Sequence, residues 1–203
     1  MWRLLDLLFP PRTDEAVLRT VSPDHFLALV APRLVEYTHP ETTALLPFHN
    51  LAVRAALHEA KYHGSTKAFT LLGLALAEYL LDGDDLGRTT SNIVVIPVPL
   101  GRARQKERGF NQVEKMLKYS GLALKIDPGF LVRTRETTSQ VSLPREKRMA
   151  NMRGAFAATR SADPSYTYIV IDDVITTGAT LQAAIDALKE AGAENTVSLA
   201  LAH

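Results

Sequence analysis

The chain has 203 residues and no cysteine, which removes disulfides, cysteine zinc sites and thiol catalysis together. Histidine offers no obvious substitute. His58 and His63 stand five apart, and His25, His39, His49 and His203 form no ligand-spaced pair, so no zinc is expected. No apolar run reaches membrane-spanning length, and the stretch from Met1 to Pro11 is too short and too interrupted by Asp6 to serve for export. The expectation is a cytoplasmic chain with no membrane partner. There is no Gly-x-x-x-x-Gly-Lys loop and no Gly-x-Gly-x-x-Gly, which disfavours ATP-type and dinucleotide sites. Internal repeats and low-complexity tracts are absent too. A net charge of only +1 argues against a general nucleic-acid coat.

What is present suits one α/β domain with an appended segment: 46% of the residues are hydrophobic and the length permits a well-buried core. Residues 1–45 read as irregular, broken by Pro10, Pro11, Pro23, Pro32 and Pro40, with a helix over Asp24–Tyr37 interrupted near Pro32. Helices are predicted over Leu51–Tyr62, stopped by Gly64, and over Thr66–Leu81, apolar around most of its circumference. A strand over Asn92–Pro97 leads into a basic loop and a helix from Asn111 to Tyr119. Leu124–Arg133 includes an extended piece broken at Pro128-Gly129, and Thr134–Arg153 reads as a long polar loop with one helical turn. A strand from Tyr168, a helix over Thr180–Ala191 and a strand over Thr196–Leu201 complete the chain. Strands alternating with helices imply a mainly parallel sheet with right-handed crossovers.

Residues 168–181 are the most informative. Tyr168–Ile171 is an apolar run suited to a strand buried on both faces, and Asp172 and Asp173 fall at its carboxyl end, where open α/β sheets bind ligands. Thr176, Thr177, Gly178, Ala179 and Thr180 can then turn tightly into a helix, with several backbone N–H groups facing one point. A phosphate there would take those N–H bonds, threonine hydroxyls and the positive end of the helix dipole. The dipole is worth only about 0.3–1 kcal/mol, so the converging donors must supply most of the affinity. The two carboxylates suit ribose hydroxyls, directly or through Mg²⁺. Without a ligand, the same segment would be a strand, a capped turn and a helix.

Basic charge gathers in two segments elsewhere. Leu100–Gln112 carries Arg102, Arg104, Lys106 and Arg108 against Glu107, and Arg133–Arg153 carries six cations against Glu136 and Glu146. Such concentration suggests a polyanionic ligand, whereas a solvated charged face is the ordinary alternative. In Ile93–Gly101, Pro97 and Pro99 fix φ, and Gly101 removes a side chain where a ligand could come close.

The segment Asp172-Asp173-x-x-Thr-Thr-Gly-x-Thr resembles the phosphoribosyl pyrophosphate (PRPP) motif of type I phosphoribosyltransferases. More specifically, Arg104-x-x-x-Arg108-Gly109-Phe110-Asn111-Gln112 is similar to the competence protein F (ComF) family. So are Lys61-Tyr62-x-Gly64, Arg133-x-x-x-Thr137-x-x-Gln140-x-x-Leu143, Arg148-x-x-Asn151, Ala155-Phe156 and Ala191-Gly192-Ala193. The resemblance covers roughly residues 45–203. It implies a type I phosphoribosyltransferase-like α/β fold over 46–203, its central sheet flanked by helices, with residues 1–45 as a small hood. Many members carry a four-cysteine zinc module after a Leu-Phe-Pro lead-in. Here Leu8-Phe9-Pro10-Pro11 is followed by no cysteine, so zinc is not carried over.

The same resemblance implies Mg²⁺-dependent transfer of ribose 5-phosphate from PRPP to an acceptor, with release of pyrophosphate. It assigns Asp172 and Asp173 to catalysis and to the metal, and residues 176–180 to the 5-phosphate. Leu100, Gly101, Arg102, Arg108, Arg133 and Arg148 would meet the pyrophosphate, and Gln140 and Asn151 would orient the loop or the acceptor. The competing reading is a non-catalytic protein that binds PRPP or a ribonucleoside monophosphate and acts in DNA uptake or replication restart through a DNA-processing protein partner. Direct nucleic-acid binding is not expected, and self-association is left open.

Overall fold

A computed structural model describes residues 11–81, 92–137 and 144–203. Gln140, assigned above to loop or acceptor orientation, lies outside them. Six strands form the main sheet: β1 (Arg33–Val35), β2 (Thr42–Leu46), β3 (Ile93–Pro97), β4 (Lys125–Ile126), β7 (Thr167–Val174) and β8 (Asn195–Ala202). Their order is β1-β2-β8-β7-β3-β4. Every pairing is parallel except β1 with β2, which is antiparallel at the edge. A separate antiparallel pair joins β5 (Leu131–Arg133) to β6 (Phe156–Ala158).

Helices α1 (Thr13–Thr20), α2 (Pro23–Leu27), α3 (Leu51–His63), α4 (Thr66–Leu81), α5 (Arg102–Arg108), α6 (Gln112–Tyr119), α7 (Arg145–Met152) and α8 (Ala179–Glu190) complete the described elements. The strand period of two divides the core. Ile93, Val95, Ile169, Ile171, Leu199 and Leu201 pack with α3, α4 and α6 on one face, whereas Val94, Ile96, Tyr168, Val170 and Ala200 pack with α8 on the other. Each fully buried aliphatic side chain contributes about 1.5–3 kcal/mol. These two layers, rather than polar contacts at the site, therefore set the positions of the strand ends.

Most of the expected elements are present, with ends shifted by a residue or so. The α/β architecture with a mainly parallel sheet is as expected. The amino-terminal segment differs. Instead of an interrupted helix over Asp24–Tyr37, α2 ends at Leu27 and Arg33–Val35 is extended, and the chain returns as β2 alongside β8. Burial of Ala44, Leu45 and Leu46 in the sheet overrides the proline-rich local pattern. Residues 102–108, expected as a basic loop, form α5: straight-chain Arg, Gln, Lys and Glu are good helix formers, and Gly109 at φ +77° ends the turn. Residues 145–152, read as one helical turn in a loop, form the two turns of α7.

Candidate functional site

The strand β7 runs through Asp172 and Asp173 to Val174, so both acids lie within the ladder rather than beyond its end. Asp172 Oδ1 accepts the Asp173 N–H at 2.9 Å, and Asp173 Oδ1 accepts the Val174 N–H at 2.8 Å. Asp173 Oδ2 accepts from Gln112 Nε2 at 2.8 Å and lies 3.2 Å from Lys61 Nζ. Burial acts to raise the Asp173 pKa, but the charge and hydrogen bond of Lys61, with the Gln112 amide, outweigh it and hold the carboxyl below its ordinary value. Asp172 behaves in the opposite way. Burial first, and the neighbouring Asp173 charge second, push it up to about 7, against the Asp173 N–H and Lys61.

After β7 the chain turns at 175–178 into α8. Gly178 stands at the helix N-cap with φ +79°. The first N–H groups of a helix lack a carbonyl four residues earlier, so the start of α8 carries backbone donors with no intrahelical partner. Asp172 and Val174 through Leu181 line a small cavity there. Thr177 is buried, with its Oγ1 accepting the Ala179 N–H at 3.4 Å, and Arg148 Nη1 donates to Thr176 Oγ1 at 3.0 Å. The structure therefore brings Asp172, residues 176–180 and Arg148 together.

The loop after β3 begins with Val98, whose N–H donates to Ile171 O at 2.9 Å. Asn111 fastens it from the other side, donating from Nδ2 to Val98 O at 2.9 Å while its Oδ1 caps the Val113 N–H at 3.0 Å. Gly101 is buried, and a β-carbon on it would stand 2.7 Å from Glu136 Oε2. The Arg102 N–H donates to Glu136 Oε1 at 2.6 Å. A carboxylate thus sits where the sequence resemblance places pyrophosphate. Its position beside a glycine and an amide N–H marks the loop as an anion-accepting surface.

Arg133 lies nearby. Its guanidinium donates to Thr137 Oγ1 and stands 5.6 Å from the Phe156 ring centroid. Burial and the Arg104 charge hold its pKa below the usual arginine value, with Glu136 and Asp172 pulling the other way. Arg108 is placed differently from Arg102, Arg133 and Arg148. Its Nη1 donates to Gln112 Oε1 at 3.1 Å and its guanidinium lies 5.3 Å from the Tyr62 ring centroid, so it braces Gln112. Asn151 is in α7, where its carbonyl accepts from Arg135 Nη2 at 2.9 Å.

The sequence reading assigned no role to Lys61, Gln112 or Glu136. Lys61 and Gln112 stand in segments that carry the resemblance, but the three residues come from α3, α6 and the segment after β5, and only the fold joins them to β7 and the β3 loop. One signal was available for the diacid, because consecutive residues of a strand point to opposite faces.

Among the described residues, His58, Glu59 and His63 each place one ligand-type atom within 4.8 Å of the others, a grouping the sequence spacing did not anticipate. Both Glu59 oxygens already receive Arg12, Nε at 3.0 Å and Nη2 at 2.7 Å, and His58 Nδ1 lies 2.9 Å from Asp14 Oδ2. The arrangement clasps α1 to α3. No helix of the described residues is long and apolar enough to cross a membrane.

Residues 134–203 match the phosphoribosyl transferase domain family. The chain is similar to Competence protein F of Haemophilus influenzae, with 34% identity over 49% of this chain and 45% of that protein. It is similar also to Competence protein ComFC of Streptococcus pneumoniae, with 32% identity over 52% of this chain and 46% of that protein. The matches thus span about half the length of these curated relatives. Among solved structures, a hypoxanthine phosphoribosyltransferase from Staphylococcus aureus aligns over 65% of this chain and 61% of its own, at 13% identity and a TM-score of 0.41.

Proposed function

We propose that the chain is a phosphoribosyltransferase-like protein of the ComF kind, which binds PRPP and transfers its ribose 5-phosphate to an acceptor, with release of pyrophosphate. The observation that carries the reading is the cavity at the end of β7, lined jointly by Asp172 and by the turn into α8. A 5-phosphate fits the turn through backbone N–H groups and the helix dipole. Asp172 lies within reach of the attached ribose. The β3 loop with Arg102 and Arg133 receives the pyrophosphate, for which the fork of an arginine is suited.

In the transfer, the bond from the sugar C1 to pyrophosphate breaks as the acceptor forms its own bond to C1 and gives up a proton. Charge grows on the departing oxygen and on the sugar ring, so preorganised cations and donors assist more than a strong base does. The oxygen donors at this site, Asp172 with the threonine hydroxyls, are of the hard type Mg²⁺ prefers. Asp172 would hold Mg²⁺, which when bound neutralises the pyrophosphate oxygens. Thr38 and His39, between β1 and β2, lie over the turn at Gly178, so the amino-terminal strands of the sheet help to enclose the phosphate site. A cytoplasmic location is part of the same proposal.

The names of the curated relatives favour a second reading, in which the pocket binds PRPP or a ribonucleoside monophosphate without transfer and serves DNA uptake through a protein partner. Pyrophosphate release from PRPP with Mg²⁺ against a panel of base, amine and acid acceptors separates the two. Acceptor-dependent release supports transfer. Binding of PRPP with no release by any acceptor assigns the accessory role instead.

A further inference from the structure

The two acids of β7 leave the strand on opposite faces, as strand geometry requires. Asp172 faces the cavity beside the turn into α8, and Asp173 is not among the residues that line it. Asp173 continues the face of Ile169 and Ile171, towards α3 and α6. There it is 7% exposed and its oxygens are engaged: Oδ1 by the Val174 N–H, and Oδ2 by Gln112 Nε2 and Lys61 Nζ. A carboxylate this buried requires such partners. The Gln112 amide is itself fixed, since its oxygen accepts from Arg108 and Arg108 rests on Tyr62.

We propose that Lys61 and Gln112 are positioning residues that hold Asp173 as a fixed anchor behind the sheet, so that Asp172 alone presents a carboxylate to the sugar. The path from Lys61 to the ligand is short. Asp173 is pinned by its side chain, and its own N–H then holds Asp172 Oδ1 at 2.9 Å. The two acids therefore have unequal tasks, and the ends of α3 and α6 become part of the sugar site without touching the sugar. This inference rests on the phosphoribosyl reading of the site.

The test compares ribose 5-phosphate with inorganic phosphate by calorimetric titration of the full chain. Inorganic phosphate reads the turn, whereas ribose 5-phosphate reads the turn and the carboxylate together. The wild type should prefer ribose 5-phosphate, and Asp172→Asn should remove that preference. Lys61→Met should weaken ribose 5-phosphate by about ten- to hundredfold, the loss expected for one charge-assisted hydrogen bond, with inorganic phosphate unchanged. Lys61→Arg should restore most of it. If Lys61→Met does not fold, Gln112→Glu, which sets a second carboxylate against Asp173, should produce the same selective loss. A folded Lys61→Met or Gln112→Glu with the wild-type preference overturns the inference. A wild type that binds both ligands equally overturns instead the phosphoribosyl reading beneath it.

Discussion

The carbonyl oxygen of His39 lies 2.5 Å from the point where a β-carbon on Gly178 would stand, with Thr38 Cβ at 3.1 Å from the same point. Gly178 also has φ +79°, a conformation that costs other residues about 1–2 kcal/mol. Any side chain there must both strain the backbone and displace the segment that covers the turn. Gly178→Val is expected to lower the melting temperature and to abolish binding of phosphate or sulfate. Wild-type anion affinity in a folded Gly178→Val protein would show that the anion does not sit at this turn.

Glu136 competes with any anion for the β3 loop, because its carboxylate accepts the Arg102 N–H and occupies the space over Gly101. Glu136→Ala should therefore raise affinity for pyrophosphate, while leaving affinity for inorganic phosphate at the α8 turn unchanged. Competition titrations with the two ligands measure this directly. A fall in pyrophosphate affinity would mean that Glu136 orders the loop instead of blocking it.

Asp172 predicts a distinctive dependence on pH. Its folded value, about 7, lies above the ordinary 3.8, so between these values the folded chain binds a proton the unfolded chain has lost. The stability this contributes is fully present below pH 4 and is lost as the pH rises towards 7. Asp173 and Glu59, both held below their ordinary values, act the other way, in acid: their contributions are lost as the pH falls below 4. Urea melts at successive pH values should show a decline between pH 4 and 7 that Asp172→Asn removes. Ligand affinity should rise over the same interval, because sugar hydroxyls and Mg²⁺ prefer the ionised carboxylate.

Glu59 is 1% exposed and receives two hydrogen bonds from Arg12, which joins α1 to α3 near the helix end that carries Lys61. Removing Arg12 leaves a buried charge without its main partner. Arg12→Ala should therefore lower the urea midpoint more than Arg19→Ala, whose pair with Glu15 is exposed. Equal midpoints would make the clasp ornamental.

Since Glu59 is committed to Arg12, the His58, Glu59 and His63 grouping should not retain zinc. The purified chain is expected to be metal-free without added Mg²⁺, and its melting temperature unchanged by chelator. Elemental analysis finding one tightly held zinc per chain would contradict this.

Much of the frame was legible because it depends on local pattern. The apolar run before Asp172, the small-residue turn and the amphipathic α8 are contiguous, and their order alone suggests a ligand at the strand end. Likewise the buried α4 announces itself by composition. The remainder depends on contacts between distant parts of the chain. Lys61, Gln112 and Asp173 are brought together by helix packing on one face of the sheet, and no spacing encodes that. Residues 42–46 look irregular until β8 supplies a parallel partner. The placement of Arg108, beside the Tyr62 ring and bonded to Gln112, likewise depends on contacts between separate elements that its charge does not reveal.

Calorimetric titration of the wild-type chain with PRPP in the presence of Mg²⁺ tests the central claim most directly. Saturable heat, a matching rise in melting temperature and loss of both in Gly178→Val are predicted. No heat and no thermal shift at millimolar PRPP, with or without Mg²⁺, would contradict the assignment of a phosphoribosyl site to the end of β7.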